Sequence, residues 1–115
     1  MKTIKEISEI IDGKVLCCRE MLDNKIEHAF ASDLMSDVLT VNKNNLLLIT
    51  GLANLQAIRT AEMSDISFII FARNKKINGD IIALAEENGI MLIESPYSVF
   101  RISGELYKAG VRPVF

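Results

Sequence analysis

Two Ser-Asp steps, Ser32-Asp33 and Ser36-Asp37, stand four residues apart in the stretch ASDLMSDVL. On a helix that spacing puts both hydroxyls and both carboxylates on one side, a turn apart. Three uses suit such a group. Ser32 can cap a helix that starts near Asp33, whose charge then sits at the positive end of the helix dipole. The four side chains can instead form the polar lip of a ligand or partner site. Catalysis is the third use and asks the most. Paired carboxylates need opposed environments that split their pKa values, and magnesium needs a phosphate substrate and further oxygen ligands. The sequence supplies neither condition, so catalysis ranks last.

A second polar group lies in TGLANLQAIRTAEM, residues 50–63. Gly51 allows close backbone approach, Asn54 can cap the next helix or touch a ligand, and Arg59 and Thr60 lie further along. The segment is neither a phosphate-binding loop ending in GK[ST] nor a G-x-G-x-x-G dinucleotide fingerprint. In open parallel sheets, ligands gather at the carboxyl ends of the strands, where helix N-termini present free N–H groups. Ser32, Asp33, Ser36, Asp37, Thr50, Gly51, Asn54 and Arg59 are therefore expected to line one crevice there.

The remaining reactive residues carry less. His28 is the only histidine, which removes any Ser-His-Asp set. It reads as a strand residue with a local hydrogen bond. Cys17 and Cys18 are adjacent, a pairing that ordinary disulfide frameworks do not use. Two thiols and one imidazole also fall short of a zinc set. The cysteines read as structural, with a redox-sensitive vicinal pair as the alternative. Neither a metal nor a cofactor is expected. RNKK, Arg73 to Lys76, reads as a solvated turn whose charge could meet an acidic partner. Met21, Met35, Met63 and Met91 read as core filler, and Glu86-Glu87 as an outer helix face.

The elements that must position these groups are well marked. Thr3 and Glu6 form a capping box ahead of Ile4, Ile7, Ile10 and Ile11 on one helical face, and Gly13 ends that helix. KVLCC then reads as a short strand, REMLDNK as a turn and IEHAFA, residues 26–31, as a second strand. LLLIT (46–50), SFIIFA (67–72) and IMLIES (90–95) are unbroken apolar runs, the pattern of strands buried on both faces. Helices are predicted over 54–63 and 80–88, the latter opened by Asn78 or Gly79 and stopped by a left-handed Gly89. A last helix is predicted from about Tyr97 to Ala109, with Ser95-Pro96 as its N-cap and first turn. The β-α-β-α-β-α order predicts a mainly parallel sheet with right-handed crossovers. The tail VRPVF either is a disordered terminus or docks on its own domain or a second subunit.

Composition sets the outer limits. At 115 residues with 50% apolar content, the chain suits one domain with a real core. Its net charge is -2 and it has no Lys/Arg block of the kind that tracks a phosphate backbone, which argues against nucleic acid as a partner. No apolar run approaches the roughly 20 residues that span a bilayer. MKTIKEISEIIDG lacks the apolar region of a signal peptide, so a cytoplasmic location is expected.

The stretches DNKIEHAFASDLMSDVL, LLLITGLANLQAIRTAEMSDISFIIF and GIMLIESPYSVFRISGELYKAG together resemble the DRTGG domain over nearly the whole chain. SDLMSDVL and TGLANLQAIRTAEM are the most specific parts. The resemblance implies a three-layer α/β/α fold, similar to the N-terminal domain of HPr kinase/phosphorylase and more remotely to those of muramyl ligases. It also implies an accessory or dimerising role, as where the domain is fused to phosphotransacetylases and nucleotide-sensing CBS-domain pyrophosphatases. Short stand-alone members are similar to proteins encoded beside iron-only hydrogenase subunits in anaerobes. Kinase activity is not implied, because the catalytic domain's phosphate-binding loop is missing. The D-R-x-x-T-G-G pattern falls on Asp23 to Ala29, DNKIEHA, and keeps only the aspartate. His28 and Ala29 in place of the two glycines weaken any phosphate-like site at that turn.

Residues and resemblance together describe a non-catalytic regulatory or accessory module, expected as a homodimer. It would bind a small ligand, a nucleotide or an anion, or a partner protein. The alternative is an assembly factor for an iron-only hydrogenase or a similar redox enzyme, with no small ligand.

Overall fold

The computed structural model describes every residue except Asn42, Asn44 and Lys75. Along the chain the strands are β1 (Lys2–Thr3), β2 (Lys14–Val15), β3 (Lys25–Ile26), β4 (His28–Ala31), β5 (Leu46–Thr50), β6 (Phe68–Phe71), β7 (Met91–Glu94) and β8 (Arg112–Pro113). The helices are α1 (Ile4–Ile10), α2 (Met35–Val38), α3 (Leu55–Met63), α4 (Gly79–Glu87) and α5 (Val99–Lys108), with a 3-10 turn at Arg19–Met21. The fold is α/β. Six strands form the main sheet in the order β2-β7-β6-β5-β4-β8, while β1 and β3 make a separate antiparallel ribbon. Within the main sheet only β2 runs antiparallel, against β7.

The chain steps β4, β5, β6, β7 across the sheet in one direction. Right-handed crossovers then put α2, α3 and α4 on one face, and these helices pack in series, α2 on α3 and α3 on α4. After β7 the direction reverses. Helix α5 crosses the other face, packing against α1, β4 and β5, and delivers β8 to the far edge beside β4. Every residue of β5 and β6 is buried, as the unbroken apolar runs require between two helical layers. Phe71, Leu47, Leu48, Ile69 and Ile70 are fully buried at the centre.

Local chemistry explains most boundaries. The Thr3 backbone N–H donates to the Glu6 carboxylate (3.0 Å) and the Glu6 N–H to the Thr3 hydroxyl (3.2 Å). Those bonds from Thr3 hold the Glu6 carboxyl below its usual range. Asn54 and Asn78 cap α3 and α4 by accepting from Ala57 and Ile81. Gly89 is left-handed at φ 68°.

Four expectations are corrected. The KVLCC strand stops at Val15, and a left-handed Cys18 at φ 59° turns the chain into the 3-10 turn. IEHAFA divides, Ile26 pairing with Lys2 and only His28–Ala31 joining the main sheet. Ser95 does not cap α5, because its fully buried hydroxyl donates to the Ile11 carbonyl at the end of α1 (2.6 Å). The cap is Ser98, which accepts from the Arg101 N–H (3.1 Å). His28 lies in a strand, but its ring Nδ1 is buried with no hydrogen-bond partner among the described residues. The tail resolves toward docking on its own sheet. Arg112 N–H donates to Glu27 O (3.0 Å) and Val114 N–H to Ala29 O (3.3 Å). Of the predicted RNKK turn, Lys75 lies outside the described residues.

Cys17 and Cys18 are free and buried, and both sulfurs face the Ile90 carbonyl oxygen, at 3.2 and 3.6 Å. Burial pushes both thiols up, Cys18 from 9.0 to about 12. The fold therefore favours the neutral thiols. The stability this gives is present below pH 9.0 and is lost as pH rises toward about 12. At about pH 8 an aromatic disulfide reagent is expected to modify the urea-unfolded chain far faster than the native one. Equal rates would show that the thiols are open to solvent.

Candidate functional site

Parallel pairing of β4 with β5 brings their carboxyl ends side by side, with Ala31 registered on Ile49. The Ser32 N–H carries the ladder one step further, donating to Ile49 O (3.0 Å). The chain then turns so that Asp33 reaches across to the neighbouring strand end. Its Oδ1 accepts from the Thr50 hydroxyl (2.7 Å) and from the Gly51 N–H (2.8 Å). Thr50 is fully buried, and its oxygen also accepts from the Leu52 N–H (3.1 Å). Two loops that are 17 residues apart in sequence are thus tied through one carboxylate oxygen.

This geometry corrects the capping of α2. The helix begins at Met35 with Leu34 at its cap position and no side-chain cap bond. Ser32 instead closes a tight local turn, its hydroxyl accepting from the Leu34 N–H (3.0 Å). Asp33 is taken by the donors of β5, which are better placed than the start of a four-residue helix.

The eight nominated residues divide into two groups. Ser32, Asp33, Thr50 and Gly51 meet at the strand ends, and Asn54 closes the same loop while capping α3. Ser36 and Asp37 are exposed on α2, opposite its buried Met35 and Val38. Arg59 is exposed on α3, whose buried face carries Ala57, Ile58 and Ala61. His28 lies at the opposite end of β4 from this group.

The chemistry of the tie is specific. Asp33 fills the donors with which the β5 loop would otherwise greet an anion. Its other oxygen, Oδ2, makes no hydrogen bond among the described residues and Asp33 is exposed. A free carboxylate oxygen fixed in that way accepts a hydrogen bond from a ligand hydroxyl or amine. No group of three or more His, Cys, Asp or Glu side chains suited to a metal ion occurs among the described residues. A cleft of about 170 Å³ between α5, β4 and β8 is apolar, lined by Phe30, Leu106, Tyr107 and Pro113 with others, and touches none of the eight.

Further along the same edge, the exits of β6 and β7 are also stitched together. Arg73 N–H donates to Tyr97 O (2.9 Å) and Asn74 N–H to Ser95 O (2.7 Å). Arg73 and Asn74 both take left-handed backbone, at φ 66° and 50°. The sequence reading did not single out Tyr97 or Arg101; their i, i+4 spacing across the start of α5 was the available signal.

The profile of the DRTGG domain family matches residues 6–109. No curated protein matches the chain. Among solved structures the chain is similar to the CBS and DRTGG domains of the regulatory region of Clostridium perfringens pyrophosphatase, complexed with the activator diadenosine tetraphosphate. The TM-score is 0.71 at 16% identity, over 97% of this chain and 48% of that one. At that identity the likeness is one of fold, and this chain spans about half the length of its neighbour.

Proposed function

The chain belongs to the DRTGG domain family, and from that premise we propose that it is a regulatory module without catalysis, which senses a nucleotide at the carboxyl edge of its parallel sheet. The observation that carries the reading is the Asp33–Thr50–Gly51 tie, which fixes one unused carboxylate oxygen at that edge. A ribose hydroxyl or a base amine supplies the donor that this oxygen lacks. Diadenosine tetraphosphate, carried by the pyrophosphatase regulatory region, is the first ligand to try.

Thermal unfolding with diadenosine tetraphosphate, ATP and AMP tests the reading. A ligand held far above its Kd stabilises the fold by mass action, so Tm should rise by several degrees. Asp33→Asn keeps an oxygen for Thr50 and Gly51 but turns the other position into a donor. It should fold and lose most of the shift. No Tm response to any of the three nucleotides in the unaltered chain would defeat the proposal.

A protein partner is the second reading, favoured by Phe100 and Tyr107, which stand 87% and 69% exposed on α5. A second copy of the chain or a larger redox enzyme, such as an iron-only hydrogenase, would cover them. Phe100→Glu should then abolish association in size-exclusion chromatography with light scattering.

A further inference from the structure

The chain's order through the sheet leaves a particular gap. β5 and β6 send their helices, α3 and α4, to one face, whereas β7 sends α5 to the other. Beyond the backbone bonds that join the carboxyl ends of β6 and β7, the two exits therefore lead to opposite faces. In open α/β sheets this reversal point is where a ligand has room to enter. Asp33 and its tie lie on β4 and β5, about two strand spacings or roughly 10 Å away.

The residues bordering the gap differ in charge from those of the tie. Arg73 and Arg101 are both exposed, and the only ion pair among the described residues joins Lys2 to Glu6 elsewhere. Both arginines converge on Tyr97. The Arg73 backbone is bonded to the Tyr97 carbonyl, and the Arg101 guanidinium lies 3.6 Å from the Tyr97 ring centroid. Stacking fixes the plane of that guanidinium while leaving its N–H groups free at the edges. Arg73 is held in a left-handed conformation that a non-glycine residue adopts at a cost. The bonds from Arg73 and Asn74 to the β7 exit maintain it. Ser95, fully buried, anchors that exit by donating to Ile11 O and accepting from the Tyr97 N–H (3.2 Å). The nearest carboxylates in sequence, Asp80 to Arg73 and Glu105 to Arg101 one helical turn on, form no ion pair with either arginine among the described residues. In a chain of net charge -2, two exposed arginines with no ion pair among the described residues border one tyrosine, Arg101 by its guanidinium and Arg73 by its backbone.

We propose that Arg73 and Arg101, positioned by Tyr97 at the gap between β6 and β7, form a binding site for a phosphoryl group. Guanidinium presents paired N–H donors that match phosphate oxygens better than any other side chain does. The inference rests on the nucleotide-sensing reading and extends it. The sugar or base meets Asp33 and the phosphate meets the arginines, at a separation that one nucleotide covers.

Amide chemical shifts of the full chain, titrated first with inorganic tripolyphosphate and then with diadenosine tetraphosphate, test the two halves separately. Tripolyphosphate should perturb residues 72–74 and 97–101, and the double variant Arg73→Gln/Arg101→Gln should bind it at least about tenfold more weakly. Circular dichroism confirms that the variant is folded. Perturbation centred on Gly51–Asn54, or binding unchanged in the double variant, would overturn the site. So would no response to tripolyphosphate. Diadenosine tetraphosphate binding that the double variant leaves intact would also overturn it, while sparing the sensing role. Tripolyphosphate bound at the gap with no nucleotide response would do the reverse.

Discussion

Phe71→Ala should remove about 3–5 kcal/mol of stability, the typical cost of emptying a fully buried phenylalanine position. Phe71 is the largest of the fully buried side chains. It ends β6, between Thr50 on β5 and Glu94 on β7, so the strand ladders on either side oppose collapse into the vacated space. A domain of this size has a total stability of about 5–15 kcal/mol, so the variant should sit near its unfolding threshold. Urea denaturation monitored by circular dichroism measures the loss, with Phe71→Leu as a control that keeps most of the volume. A loss under about 1 kcal/mol would mean that the layers relax around the cavity, contrary to close packing. The consequence reaches the proposed anion site, because Ala72 and Arg73 follow directly. In the folded fraction, amide exchange at residues 72–74 should quicken more than at Leu47–Ile49.

The second large effect belongs to Asp33. Asp33→Ala removes the acceptor of two hydrogen bonds and leaves a fully buried Thr50 hydroxyl without its carboxylate. Hydrogen bonds to charged groups and the stranding of a buried donor together point to a loss of about 2–3 kcal/mol. A general polar effect and a specific tie separate in a double-mutant cycle with Thr50→Val. When the donor is deleted as well, much of the penalty should disappear, giving a coupling of about 1 kcal/mol or more. Strict additivity would show that the two side chains do not depend on each other. The cycle also distinguishes stability from sensing, since Asp33→Asn is expected to spare the first and impair the second.

What was legible from the sequence follows the range of the interactions involved. Thr3 with Glu6, Asn54 with Ala57, Asn78 with Ile81 and the left-handed Gly89 are decided within a few residues, and each was readable. The buried runs were readable too, because two-sided burial leaves no exposed position in LLLIT or FIIF and fills all but Thr50 with apolar side chains. Ser32 and Ser95 were misassigned for one shared reason. Each lies in a sequence that suits a helix start, yet tertiary bonds or a local turn claimed its hydroxyl first. Ile11, 84 residues from Ser95, took one, and the Leu34 N–H took the other. The expectation of one crevice at the strand ends left strand order open, and the reach of Asp33 to Thr50 and Gly51 depends on β4 lying beside β5. The outward facing of Ser36, Asp37 and Arg59 depends on where α2 and α3 start and how they roll on the sheet, which residue spacing alone leaves open. Left-handed Asn74 had a local signal, since asparagine tolerates that backbone, whereas Arg73 had none.

The docked tail has a bearing on how copies of this protein can meet. In β8 the N–H groups of Arg112 and Val114 point inward to β4, so the alternate position, Pro113, faces away from the sheet. Proline has no N–H to offer there. The rim of the sheet consequently lacks the donor that an incoming strand would need, a known defence against edge-to-edge growth into aggregates. Self-association at this side is thereby steered from backbone zippering toward side-chain contact, where a single substitution can tune or cancel it.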